Sequence, residues 1–136
     1  MGSTPQFVAT GKTPVASVAN ADGTAFKPLY TAGASGGRID SVFVTNSDNA
    51  NPYTVQLAIQ KSGVNYELGE VLIPAGSGTN GSAKSVAALN PTDIPGLSYT
   101  EGGALMMEAG AILVVRSKTA VSGANKLNFC GVAGDY

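Results

Sequence analysis

The chain has 136 residues, enough for one domain with a real core and too few for two comfortable ones. Hydrophobic residues make up 43%, but charged residues only 12%, against roughly 25% in soluble domains; Ser, Thr, Asn, Gly and Ala must therefore cover the surface, and little charge repulsion holds copies apart. The net charge is −1 and the eight basic residues stand singly, which excludes a stripe able to neutralise a run of phosphates; with no basic leader and no long apolar run, neither nucleic acid nor a membrane is expected as a partner.

In chain order, residues 1–23 mix small, polar and proline residues with scattered apolar ones. They read as an extended N-terminal arm holding a short strand near 14–19, with a β-sandwich domain following at 24–136. Phe7, Val8, Val15 and Val18 are the arm's apolar residues, too sparse to fold alone, and are the candidate interface to a neighbouring subunit or shell. After the Asp22-Gly23 turn signal, strands are predicted at 24–30, 38–46, 53–60, 66–73, 84–89, 104–108, 111–117 and 126–133, separated by Gly-, Asn-, Asp- and Ser-rich turns. The clearest is Tyr53-Thr54-Val55-Gln56-Leu57-Ala58-Ile59-Gln60, where Tyr53, Val55, Leu57 and Ile59 share one face. Ile112-Leu113-Val114-Val115 is apolar on both faces, the mark of a central strand or of one whose outer face meets a partner. The best helix candidate, 82–89, is short and is blocked by Pro91 and Pro95. The predicted fold class is all-β, an antiparallel sandwich, with jelly-roll-like and immunoglobulin-like windings both open.

Motifs that spell chemistry lack its context. Gly33-Ala34-Ser35-Gly36-Gly37 matches a nucleophile elbow, but the chain has no histidine and a strand follows instead of a helix. Gly76-Ser77-Gly78-Thr79-Asn80-Gly81 matches a phosphate-cradling loop, yet no adequate helix follows it. Both are expected to be turns, and Asn80-Gly81-Ser82 is a glycosylation sequon by spelling only. Asp48, Asn49 and Asn51 supply too few charged oxygens for a cation and are expected to form a turn. Glu67 and Glu70, the acids closest in sequence, should point to opposite faces of a strand and not cooperate. Tyr30, Tyr53, Tyr66, Tyr99 and Tyr136 are dispersed and tryptophan is absent, which argues against a sugar-binding platform. Cys130, without a second cysteine, is expected to be a small buried hydrophobe. The chain is thus expected not to be an enzyme, with no catalytic, cofactor-binding or metal-ligating residues.

Three stretches, Thr4-Pro5-Gln6-Phe7-Val8-Ala9-Thr10, Tyr30-Thr31-Ala32-Gly33-Ala34-Ser35-Gly36-Gly37-Arg38-Ile39-Asp40-Ser41-Val42-Phe43-Val44-Thr45-Asn46 and Gly131-Val132-Ala133-Gly134-Asp135-Tyr136, together resemble small virion proteins of tailed bacteriophages of the capsid decoration, or cement, type. The resemblance implies a structural protein that binds the major capsid protein and itself, commonly as a homotrimer, in a virion assembled in the host cytoplasm. A tail, neck or fibre-associated module is the alternative, and a carbohydrate-binding sandwich a further one. The resemblance carries over no catalytic residue.

Overall fold

The computed structural model describes residues 7–100 and 103–136. Among these residues, ten strands form two antiparallel sheets: β1 (Thr10–Lys12), β2 (Val15–Ala19), β3 (Lys27–Thr31), β4 (Gly37–Asn46), β5 (Tyr53–Lys61), β6 (Val64–Ile73), β7 (Val86–Ala87), β8 (Leu105–Met107), β9 (Ile112–Ser117) and β10 (Lys126–Asp135). The helical turns among the described residues are short 3₁₀ pieces at Asn20–Asp22 and Pro95–Tyr99. Period-2 burial is plain in β10, where Leu127, Phe129 and Ala133 face the core while Asn128, Cys130 and Val132 face outward.

One sheet, sheet A, places β10 between β4 on one side and β1 and β2 on the other, with β7 and β8 along the far edge of β4. The second, sheet B, runs β3-β9-β5-β6. The pairing is nested: β2 with β10, β3 with β9, β4 with β7 and β8, and β5 with β6. A chain paired in this way is one long folded-over hairpin. Its wrapping then brings β10 against β4 and β9 against β5. This is the jelly-roll winding, and it separates the two topologies that alternation alone left open.

The innermost hairpin, β5–β6, turns through Ser62 (φ 51°) and Gly63 (φ 78°), the paired left-handed residues of a type I′ turn, whose twist matches that of the strands. The core between the sheets holds Ile39, Val42, Val44, Val55, Leu57, Leu113, Val115, Leu127 and Phe129. At Gly69 an added Cβ would come within 2.9 Å of Ile94 Cγ1 and 3.1 Å of the Asp93 carbonyl. A residue without a side chain there lets the 90–97 segment close over β6.

Residues 10–12 and 15–19, expected within the extended N-terminal arm with a short strand near 14–19, are strands β1 and β2 of sheet A, laid antiparallel on β10 of the same chain. Val18 is fully buried in the core, so its side chain serves this chain's own packing. The reason is topological: β10 has a second edge, and β2 is the strand that satisfies it.

Candidate interaction surfaces

Described residues of the three sequence stretches singled out above, far apart in the chain, meet at one corner of the sandwich. Tyr30, at the end of β3, is buried, and its hydroxyl donates to the Asp135 carboxylate and lies 3.1 Å from the Gly134 carbonyl. The Gly33 N–H donates to Asp135 Oδ1 at 3.2 Å, and Lys12 Nζ lies 3.6 Å from Asp135 Oδ2. The Ala9 N–H reaches the Asp135 carbonyl at 2.8 Å, and the Tyr136 N–H the Gly36 carbonyl at 3.2 Å. Val8 covers Gly134, occupying the space a Cβ there would need. Donation by Tyr30, opposed by burial and assisted by Gly33 and Lys12, holds the Asp135 carboxyl below the usual range. Burial, and then the bond to Asp135, pushes the Tyr30 hydroxyl up.

The elbow-like segment is part of this corner. Gly33 and Gly36 close a turn through the Gly36 N–H and Gly33 carbonyl, 3.0 Å apart. Gly36 has φ 87°, and β4 begins at the next residue, so Ser35 sits on a structural turn. Gly37 faces the Tyr30 hydroxyl where a Cβ would stand. Gly37→Ala is therefore expected to cost about 1–3 kcal/mol by overpacking, measured by urea denaturation, and Tyr30→Phe in the same chain should recover part of it by removing the clashing oxygen.

A second polar assembly pins the loops at 47–52 and 74–81. Asp48 is almost fully buried, and its carboxylate accepts from the N–H groups of Ala50 (2.9 Å) and Asn51 (3.1 Å), from Asn51 Nδ2 (3.0 Å) and from the Tyr53 hydroxyl (2.7 Å). Tyr53 in turn accepts from the Ser122 N–H at 2.9 Å, and buried Asn46 donates to the carbonyls of Asn51 and Pro74. With its oxygens already engaged, Asp48 has little left for a cation, and no group of three metal-ligating side chains occurs among the described residues. The Tyr53 bond, with those of Asn51 and Ala50, lowers the Asp48 pKa to about 2. Because that value lies below the unfolded one, the stabilisation is complete above about pH 4 and fades as pH falls toward 2. Urea midpoints should drop across that interval, and Asp48→Asn should flatten the drop.

The phosphate-loop look-alike belongs to the same end. The Gly76 N–H donates to the Asp48 carbonyl, the Thr79 N–H to the Gly76 carbonyl, and the Thr79 hydroxyl to the Asn46 carbonyl at 2.7 Å. These donors turn inward to the protein and not toward a ligand. Glu67 and Glu70 differ from the simple alternation. A bulge at Leu57/Ala58 leaves Leu68 unpaired, so Glu67 sits opposite Ala58 and Glu70 opposite Gln56, which places both acids on one face. Both are exposed, and Glu70 is paired with Lys118 at 2.8 Å.

One part of the outer surface is apolar. Val15, Cys130, Phe43 and Ala87 are directly opposed partners on four adjacent strands, β2, β10, β4 and β7, so all four point to the outer face of sheet A. All four are exposed, and Val132 extends the row along β10. The expected burial of Cys130 is thus reversed: its place in the alternation of β10 turns it outward. Of the four candidate interface residues, Phe7 (79%) and Val15 (67%) are exposed, Val8 is half-buried over Gly134, and Val18 is in the core. Among the tyrosines, Tyr30 and Tyr53 are buried and Tyr66 is exposed. Apart from Val15, the sequence alone gives no sign of this outward-facing set, because single exposed hydrophobes carry no signal until strand register aligns them.

The architecture defines a two-sheet jelly roll whose most distinctive features are packed turns and apolar faces. No protein-family model matches the chain, and no curated protein matches it by sequence. Among solved structures, a chain in the acidic stable capsid structure of Helicobacter pylori bacteriophage KHP30 is similar in fold, with a TM-score of 0.60 over 94% of this chain and 90% of that one at 9% identity. A chain in the cyanophage Pam1 capsid asymmetric unit aligns over 100% of this chain and 94% of that one at 14% identity, with a TM-score of 0.45, too loose a likeness to define the fold.

Proposed function

We propose that this chain is a structural protein of a tailed-bacteriophage virion, a decoration or cement protein that binds the shell of major capsid protein as a homo-oligomer, a trimer, after assembly in the host cytoplasm. The observation that carries the reading is the fold shared with a capsid-structure chain over nearly the full length of both. The resemblance of the corner-forming stretches supports it independently. A shell-binding protein needs apolar faces, edges and extended termini that repeat on a lattice, and the outer face of sheet A together with Phe7 supplies them. Phe7, just ahead of β1, and Val15, at the start of β2, are proposed as the chain's contacts to a neighbour.

Antibody-labelled electron microscopy of virions of the phage that carries this gene tests the proposal. Label distributed over the head is the expected result. Label confined to tail, neck or fibres would overturn the decoration reading, and virions without label would overturn the virion reading. Heads stripped of the protein should also open at lower temperature and regain stability when it is added back.

A further inference from the structure

We propose that Asn80 is a site of self-modification promoted by the fold: the backbone nitrogen of Gly81 attacks the Asn80 side-chain amide, expels ammonia and leaves aspartate and isoaspartate at this position. No other asparagine of the chain is followed by glycine. The inference is independent of the virion reading.

The loop prepares the electrophile. Asn80 Oδ1 accepts from the Ser82 N–H at 2.9 Å and from the Ala83 N–H at 3.0 Å. Both partners are donors, so the atom between them must be the amide oxygen, and Nδ2 is turned away. When nitrogen adds to Cγ, negative charge gathers on that oxygen, where two backbone N–H groups already point; this is the arrangement of an oxyanion hole.

The nucleophile and the leaving group are unencumbered. Neither the Gly81 N–H nor Asn80 Nδ2 has a hydrogen-bond partner among the described residues. Gly81 has φ 80°, and the space a Cβ there would take is open. Across the loop, Gly76 makes room for the amide: a Cβ at that position would fall 2.2 Å from Asn80 Nδ2. Asn80 and Gly81 are both exposed, so water reaches the reacting atoms. Holding the two groups of an intramolecular reaction in place removes part of the ordering cost of the attack.

The chemistry balances with water alone. The bond from the Gly81 nitrogen to Asn80 Cγ forms, the bond from Cγ to Nδ2 breaks, and the Gly81 amide proton passes through water to the departing nitrogen, which leaves as ammonia. A five-membered succinimide ring remains. Water opening the ring at Cγ gives aspartate; water opening it at the main-chain carbonyl carbon gives isoaspartate. Aspartate keeps an oxygen for the Ser82 and Ala83 N–H groups and binds them more strongly as an anion. Isoaspartate lengthens the main chain by the side-chain methylene and disturbs the turn that brings the Gly78 N–H to the Ala83 carbonyl at 2.7 Å.

The test incubates the full chain at neutral pH, folded and, in parallel, unfolded in guanidinium chloride, and follows each asparagine by peptide mass spectrometry. Conversion should be concentrated at Asn80, should include isoaspartate detected by enzymatic methylation of its carboxylate, and should run at least about fivefold faster in the folded chain, the effect of two exposed hydrogen bonds. Ala83→Pro deletes one donor and should slow the folded chain about two- to tenfold while leaving the unfolded rate unchanged. Gly81→Ala should suppress the reaction in both states, because a methyl group crowds the attacking nitrogen. Conversion in the folded chain that is no faster than in the unfolded one, aspartate without isoaspartate, or a folded Ala83→Pro chain that converts at the unaltered rate would each overturn the proposal. If Ala83→Pro does not fold, the ratio of folded to unfolded rates in the unaltered chain decides.

Discussion

Phe129→Ala is expected to lower stability by about 3–5 kcal/mol, the range for deleting a buried aromatic ring and leaving its cavity. Phe129 is 1% exposed and sits mid-way along β10, opposite Ala16 of β2 and Val44 of β4. Packing on both sides comes from strands whose own register depends on β10, so little collapse into the cavity is available. Against a total stability of about 5–15 kcal/mol, such a loss should lower the midpoint of thermal unfolding by about 10 °C or more. Asn128→Ala, one residue away on the outer face, removes the 2.8 Å bond from the Ser17 hydroxyl and should cost about 1 kcal/mol or less. Differential scanning calorimetry of the two variants decides the matter: near-equal midpoints would contradict the placement of β10 at the centre of the core.

The second large effect concerns the N-terminus. A chain lacking residues 2–20 is expected to lose its cooperative unfolding transition, whereas one lacking residues 2–8 should keep it, with a midpoint shifted by a few degrees at most. The longer deletion removes both β1 and β2. It strips the ladder between Val15–Ala19 and β10, leaves the backbone of a long central strand unpaired along one side, and takes Val18 out of the core, itself a loss of about 1.5–3 kcal/mol of burial. In a nested hairpin the first and last strands close the structure, so removing one exposes the interior along its length. The shorter deletion loses Val8 from above Gly134 but keeps the Ala9 bond to Asp135. A sharp, unshifted urea transition for the 2–20 deletion would mean that the β-body is independent of this segment.

These two deletions also mark where sequence reasoning stopped. The Tyr53–Gln60 pattern located β5 almost to the residue, and the spacing of turn residues located β4 and β9 to within a residue and β6 and β10 to within two, because alternation and turn chemistry are local properties that each segment carries by itself. The strand predicted over 84–89 survives as the two-residue β7, with the Ala88 N–H still reaching the Val42 carbonyl of β4. The turn expected at residues 33–37 is present, closed by the Gly36 N–H on the Gly33 carbonyl and followed at once by β4. None of this says which strand pairs with which. Val18 reads like any other valine in a polar stretch until β2 is placed on β10, and Cys130 reads as buried until register turns it outward. The bulge that brings Glu67 and Glu70 to one face is an offset between two strands and exists in neither alone. The meeting of Val8, Tyr30, Gly37 and Asp135 at one corner, and the alignment of Val15, Phe43 and Ala87 into a surface, arise from contacts between residues tens of positions apart. Period and propensity along the chain determined the elements; the jelly-roll wrapping, whose register is set by burying all the inward faces at once, decided which residues are core and which are surface.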